Sequence, residues 1–173
     1  MGSNRKHAGM AVAVAVAVAL AVGLGVAAGG AFAHENMGPM PKTAGGKAAF
    51  QRHENFKQQG AAFKAINDEL RKDAPDKAVL TSNVTKLKAL TTQLPGWFPK
   101  GSGPESGFKT DAKAEVWSDA AGFAAAVNRL QVETSRLQQV TAAGDTGSIR
   151  AQVRATGGAC KNCHDKYRVP EKK

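Results

Sequence analysis

Val116, Ala120, Phe123, Val127, Leu130 and Leu137 recur at steps of four and three between about Ala112 and Ala143. That rhythm lays all six side chains along one side of an α-helix. A helix with one long apolar seam buries it by lying lengthwise against other helices, which limits the chain to bundle-like packings. The spacing predicts a single helix over the whole stretch, broken afterwards by "AGDTGS".

Three more helical patterns accompany it, each bounded by residues that helices tolerate poorly. The first runs from about Lys47 to Lys72, carries Phe56, Phe63, Ile66 and Leu70 on one stripe, and stops before Pro75. The second, about Asp76 to Gln93, places Leu80, Val84 and Leu87 in line and ends at Pro95. The last, about Ser148 to Tyr167, sets Ile149, Val153, Cys160, Cys163 and Tyr167 on its inner face. Between the second and third patterns, "PGWFPKGSGPESGF" is loop-like but holds Trp97, Phe98 and Phe108, aromatics expected to fold back over a core edge. No convincing strand and no internal repeat is visible. The predicted fold is therefore all-α, an antiparallel up-down-up-down four-helix bundle.

The N-terminal 33 residues stand apart. A short basic start with Arg5 and Lys6, an apolar run from Met10 to Val26, and a small-residue end at Ala31 and Ala33 have the three-part layout of a secretory signal peptide. The alternative, an uncleaved membrane anchor, is disfavoured because the run falls short of the roughly 20 residues that span a bilayer. Cleavage after Ala33 would export residues 34–173. Residues 34–46, with Pro and Gly but no periodicity, read as a flexible leader. The signal segment carries two of the 24 basic residues and none of the 14 acids, so the remaining chain keeps a net charge of +8. Those basic residues are dispersed along the helices as solvated faces, with no zinc finger, RNA-binding consensus or dense Arg/Lys block to point to nucleic acid.

Both cysteines lie in "GACKNCHDKYR", residues 158–168. C-x-x-C-H is the attachment signature of a c-type haem. On a helix, Cys160, Cys163 and His164 share one face, so two thiols can reach the vinyl groups along one porphyrin edge while the imidazole turns toward iron. A disulfide between positions three apart within a helix is geometrically poor. A thioredoxin-type motif would open a helix after a strand, and a zinc site would want a fourth ligand. Attachment of haem c in bacteria takes place outside the cytoplasm, in agreement with the export signal.

With that motif placed at the C-terminal end, the chain resembles the class II cytochromes c, most closely the cytochromes c′. The likeness is carried by "CKNCHDKYR", by "AEVWSDAAGF" (114–123), by "LPGWFPKGSG" in the loop, and by "FQRHENFK" (50–57). The resemblance implies a bundle with covalently bound haem occupying residues 47–173, His164 as axial ligand, and a distal residue four after an arginine of the first helix. Arg52 and Phe56 match those two places. It also implies Arg52 near a haem propionate, Arg168 beside the proximal pocket, and a homodimer formed through the first two helices.

Methionine at the distal place would ligate iron and give a low-spin electron carrier. Phe56 has no lone pair, so five-coordinate high-spin iron under an apolar roof is expected. Bound O₂ wants a hydrogen-bond donor that Phe56 lacks, whereas NO and CO bind ferrous haem without one. The expected role is a periplasmic haem protein that binds small gases and can take part in electron transfer. The alternative is a low-spin class II cytochrome c that chiefly carries one electron, to a partner protein that the basic surface would suit if acidic. An enzyme such as a peroxidase would need distal acid–base groups, and only His53, beside Arg52, stands near. His53, and Met37 and Met40 in the leader, are not expected to ligate; His34 would pick up copper only adventitiously. Trp97 is expected at the haem edge, with Trp117 and Tyr167 as packing residues.

Overall fold

The computed structural model describes residues 39–170. The expected signal peptide (1–33) and residues 34–38 of the expected leader (34–46) lie outside the described residues. The described chain folds into α1 (Ala44–Leu70), α2 (Lys77–Gln93), a one-turn α3 (Glu115–Ser118), α4 (Ala120–Ala143) and α5 (Thr146–Tyr167). Among these residues no strand forms beyond one isolated bridge pairing Ala112 with Arg168.

Each long helix starts on a side chain that can accept an otherwise orphaned backbone N–H. Thr43 accepts from Gly46, Asp76 from Ala78 and Val79, Asp119 from Gly122, and Asp145 from Ser148. The α1 cap lies at Thr43, so the helix begins three residues earlier than its apolar stripe suggests, inside the expected leader. At its other end α4 stops on Gly144, whose φ of 87° is the left-handed conformation that glycine adopts without penalty.

The expected single helix over 112–143 is two helices. Asp119, with φ −114° and ψ 57°, closes α3 and caps α4. The chain is held in that kink from outside: the Tyr167 hydroxyl donates to Asp119 Oδ2 at 2.8 Å, and the Lys166 ammonium donates to the same oxygen. Ahead of α3 the chain is extended and pairs with the end of α5, where Lys113 N–H donates to Tyr167 O (3.0 Å) and Val169 N–H to Asp111 O (2.7 Å).

Four long helices make the up-down-up-down bundle, but its ring is not evenly closed. α1 packs along α2, α2 along α4 and α4 along α5, whereas α1 and α5 barely touch. Two apolar clusters fill the interior. One, at the end where α1 turns into α2, gathers Ile66, Leu80, Val84, Leu87, Leu137, Ile149 and Val153. The other, at the opposite end, gathers Leu94, Trp97, Val127, Leu130 and Ala159. Burying such side chains supplies the main drive for folding, about 1.5–3 kcal/mol each.

The aromatic loop is fixed by the first turns of α1. A side chain on Gly45 would meet Gly101 O at 1.9 Å, so α1 sits directly on loop backbone. Phe50 and Phe108 meet edge to face with centroids 5.8 Å apart. Two short 3₁₀ turns, Leu94–Trp97 and Pro104–Ser106, shape the rest.

Candidate functional site

The open seam between α1 and α5 has a definite register. At the α2 end, Arg150 Nη2 donates to Leu70 O at 2.7 Å. Two turns along, the Phe63 ring lies 3.5 Å from where a side chain on Gly157 would begin. These pairs step seven residues in opposite directions along antiparallel helices. Carried two further turns, the same register would set Phe56 of α1 level with His164 of α5. Both walls also share one floor, since Phe56 and Cys160 pack against the same cluster around Leu94, Trp97 and Leu130.

On the α5 wall, Cys160 and Cys163 are half-buried and their thiols are not joined to each other. Burial, with some repulsion from Cys163, pushes the Cys160 thiol up to about 11, and burial also raises that of Cys163. Both sulfurs are neutral thiols near neutral pH, the opposite of a reactive redox pair, whose thiolate is stabilised. No group of three or more His, Cys, Asp or Glu side chains able to hold a metal ion occurs among the described residues. His164 is exposed at the mouth of the seam. The Arg168 N–H donates to His164 O at 3.0 Å, while its guanidinium lies 3.6 Å from Asp111 Oδ2. Lys113 Nζ donates to the carbonyls of Asp165 and Lys166, satisfying the last turn of α5.

On the α1 wall, Phe56 is caged by aromatics. Its ring meets Trp97 edge to face at 5.2 Å and Phe98 at 6.1 Å. Phe98 contacts Phe123 at 4.7 Å, and Phe123 contacts Tyr167 at 5.3 Å. The chain of rings runs from the α1 wall round to the end of α5, and it fixes Phe56 against displacement. Trp97 lies behind Phe56, and Trp117 donates its indole N–H to Phe98 O and Pro99 O, both at 3.2 Å.

Arg52 is buried, only 3% exposed, one turn before Phe56. Its two terminal nitrogens donate to Trp97 O (3.1 Å), Ser102 Oγ (2.9 Å), Ser102 O (2.8 Å) and Thr110 Oγ1 (3.0 Å). Its guanidinium carbon lies 4.7 Å from the Phe98 ring centroid. Burial lowers its pKa to about 10, with Glu105 pulling it partly back up. Arg52 therefore ties the aromatic loop to α1 and leaves a positive charge beside the cage. His53 is half-buried and Met40 is exposed.

One residue of this wall escaped the sequence reading. Gln59 is 8% exposed, and its Oε1 is buried with no hydrogen-bond partner. It occupies the stripe Arg52, Phe56, Gln59, Phe63, Ile66, Leu70, where a polar side chain among apolar ones is the sequence signal.

The site fits a haem. It has a sparsely packed seam between two helices, an apolar cluster shared by both, two neutral thiols one turn apart, an imidazole next to the second, and a buried polar atom on α1 lacking a partner. Cys160 and Cys163 would hold the porphyrin covalently and His164 would hold its iron.

The sequence pattern of the family described as Cytochrome C' matches residues 47–168. A cytochrome c′ of Rubrivivax gelatinosus is 47% identical over 68 residues, 39% of this chain and about half (53%) of that protein's length. One from Pararhodospirillum photometricum is 32% identical over 117 residues, covering 68% of this chain and 92% of that protein. Among solved structures, the nitric oxide complex of a single-site mutant of cytochrome c prime from Alcaligenes xylosoxidans superposes with a TM-score of 0.66. Its identity is 30%, with 73% of this chain and 97% of that one covered. A carbon monoxide-bound variant of the same Alcaligenes protein superposes equally well. Sequence and fold together make this chain a member of the cytochrome c′ family.

Proposed function

We propose that this protein carries one haem c, attached through Cys160 and Cys163, with His164 as the only protein ligand to its iron, and that it binds NO and CO at the opposite face. The observation that carries this reading is the aromatic cage around Phe56, with Trp97 at 5.2 Å and Phe98 at 6.1 Å, on a helix whose register with α5 runs toward His164. A haem in this site supplies a ferrous iron able to take a small π-accepting gas.

The chain's own residues set the terms. Phe56 offers no donor atom, so no side chain at that level can complete the coordination as a methionine would. Its apolar ring keeps bulk water from the opposite face and admits only small ligands. Arg52 carries its charge beside this wall, where it favours an anionic propionate nearby. Arg168 borders the His164 side, with its guanidinium 3.6 Å from Asp111 Oδ2. Phe56 supplies neither an acid nor a base, in keeping with a role in binding and electron transfer. The Alcaligenes relative's NO- and CO-bound forms support the gas-binding reading. Export to the periplasm, an acidic redox partner and a homodimer through α1 and α2 belong to the same proposal.

The test is a CO titration of the reduced protein. Immediate conversion to a single CO-bound spectrum at stoichiometric gas is expected. A reduced protein that leaves its spectrum unchanged under CO would mean that a second side chain fills the site, as in the electron-carrier alternative.

A further inference from the structure

Resting on the reading of an open site beside Phe56, we propose that Gln59 is a hydrogen-bond donor to the gas bound there, so that the pocket is polar on one side and not wholly apolar.

Three features of the structure converge on this residue. The first is position: Gln59 follows Phe56 by three residues on the same stripe of α1, so both present to the bundle interior. In the register set by Leu70 with Arg150 and Phe63 with Gly157, Gln59 comes one residue from the level of Cys160. It therefore borders the length of seam spanned by the attachment motif. The second is the missing partner. A buried amide oxygen without a hydrogen bond is unfavourable, and native proteins tolerate few such atoms; a bound diatomic cannot donate to it, so the site suits the carboxamide turned over, with its NH₂ in that place. Other buried polar groups are satisfied, since Thr91 and Thr134 share a hydrogen bond of 3.0 Å and Thr156 donates to Gln152 O at 2.9 Å; among the described residues Thr141 Oγ1 is the other buried side-chain atom without a partner. The third is adaptability. The terminal torsion of glutamine is broad and roughly two-fold, so its carboxamide can turn either its oxygen or its NH₂ toward a ligand at little cost.

A donor here alters the chemistry expected of the site. Phe56 limits size and excludes a protein ligand, while Gln59 rewards a ligand whose outer atom gains negative charge on binding. That distinction favours NO, and also O₂, over CO beyond what a purely hydrocarbon roof would allow. Glutamine also stays neutral at every working pH, so the preference does not change with acidity.

The experiment reads the C–O stretching frequency of the CO-bound reduced holoprotein by infrared spectroscopy, in H₂O and in D₂O, for the wild type and for Gln59→Leu. Leucine keeps the bulk and suits the surrounding stripe. The proposal predicts a lower C–O stretch in the wild type than in the variant. It also predicts a small D₂O shift that is present in the wild type and lost in Gln59→Leu. Identical frequencies with no isotope effect in either protein would overturn the role of Gln59 while leaving the open site intact. Failure of the wild type to take up CO at all would overturn both. If Gln59→Leu does not mature with haem, the wild-type isotope shift alone decides, since its absence contradicts a donor.

Discussion

Phe56 and His164 divide the chemistry of the site between them: one can bind iron, the other cannot. Replacing the ring tests that division directly. Phe56→Met puts a sulfur in the cage formed by Trp97 and Phe98. The variant is expected to turn the haem six-coordinate and low-spin, with sharpened visible bands and CO binding slowed at least tenfold. An unchanged spectrum would mean that the wall opposite His164 is formed by another residue. Single positions differed in how far the sequence exposed them. Cys160, Cys163 and His164 were readable because their chemistry depends on local spacing within a helix. Arg52 was readable as a position but not as a loop anchor, because its acceptors lie 45 to 58 residues further along the chain. Gln59 was visible as a polar break in an apolar stripe, whereas its lack of a partner is a property of the folded interior.

At the level of elements, two junctions position the walls. The first is the seat of α1 on the loop. Gly45→Ala would drive a methyl group into Gly101 O, and backbone has little freedom to yield. A loss of about 1–3 kcal/mol is expected, read as a lower midpoint in chemical denaturation, with loosening of the loop that backs Phe56. The second junction is the kink at Asp119, which clamps α4 to the end of α5. Hydrogen bonds from Lys166, Tyr167 and the Gly122 N–H, in that order, hold the Asp119 carboxyl down to about 2 from its ordinary 3.8. A carboxyl depressed in the folded state contributes stability that is complete above pH 3.8 and lost as pH falls through about 2. Asp119→Asn should flatten acid unfolding in that window relative to the wild type, and an identical acid limb would show that the clamp contributes nothing. The starts of α2 and α5 were legible to within a few residues, because each follows a break in the apolar pattern at Asp76 and Asp145. The sequence concealed the cap at Asp119, since Val116, Ala120 and Phe123 continue the seam straight through. The bonds that break the helix there come from residues 47 and 48 positions away.

Across the bundle, α1 with α2, α2 with α4 and α4 with α5 pack along their lengths, and α1 with α5 packs sparsely. The cluster around Ile66 and Leu137 closes the end remote from the site, and the cluster around Leu94 and Trp97 makes the floor of that seam. The all-helical class and the four long patterns were legible because each helix keeps its period and its breakers. The seam was not, because it depends on which pair of neighbouring helices packs sparsely. It is also what gives the terminal motif room to hold a porphyrin between α5 and α1. The most direct test of the central claim is the visible absorption spectrum of the reduced holoprotein, purified without added ligand. Iron held by His164 alone predicts a broad, unsplit high-spin band. A sharp low-spin α-band at rest would contradict it.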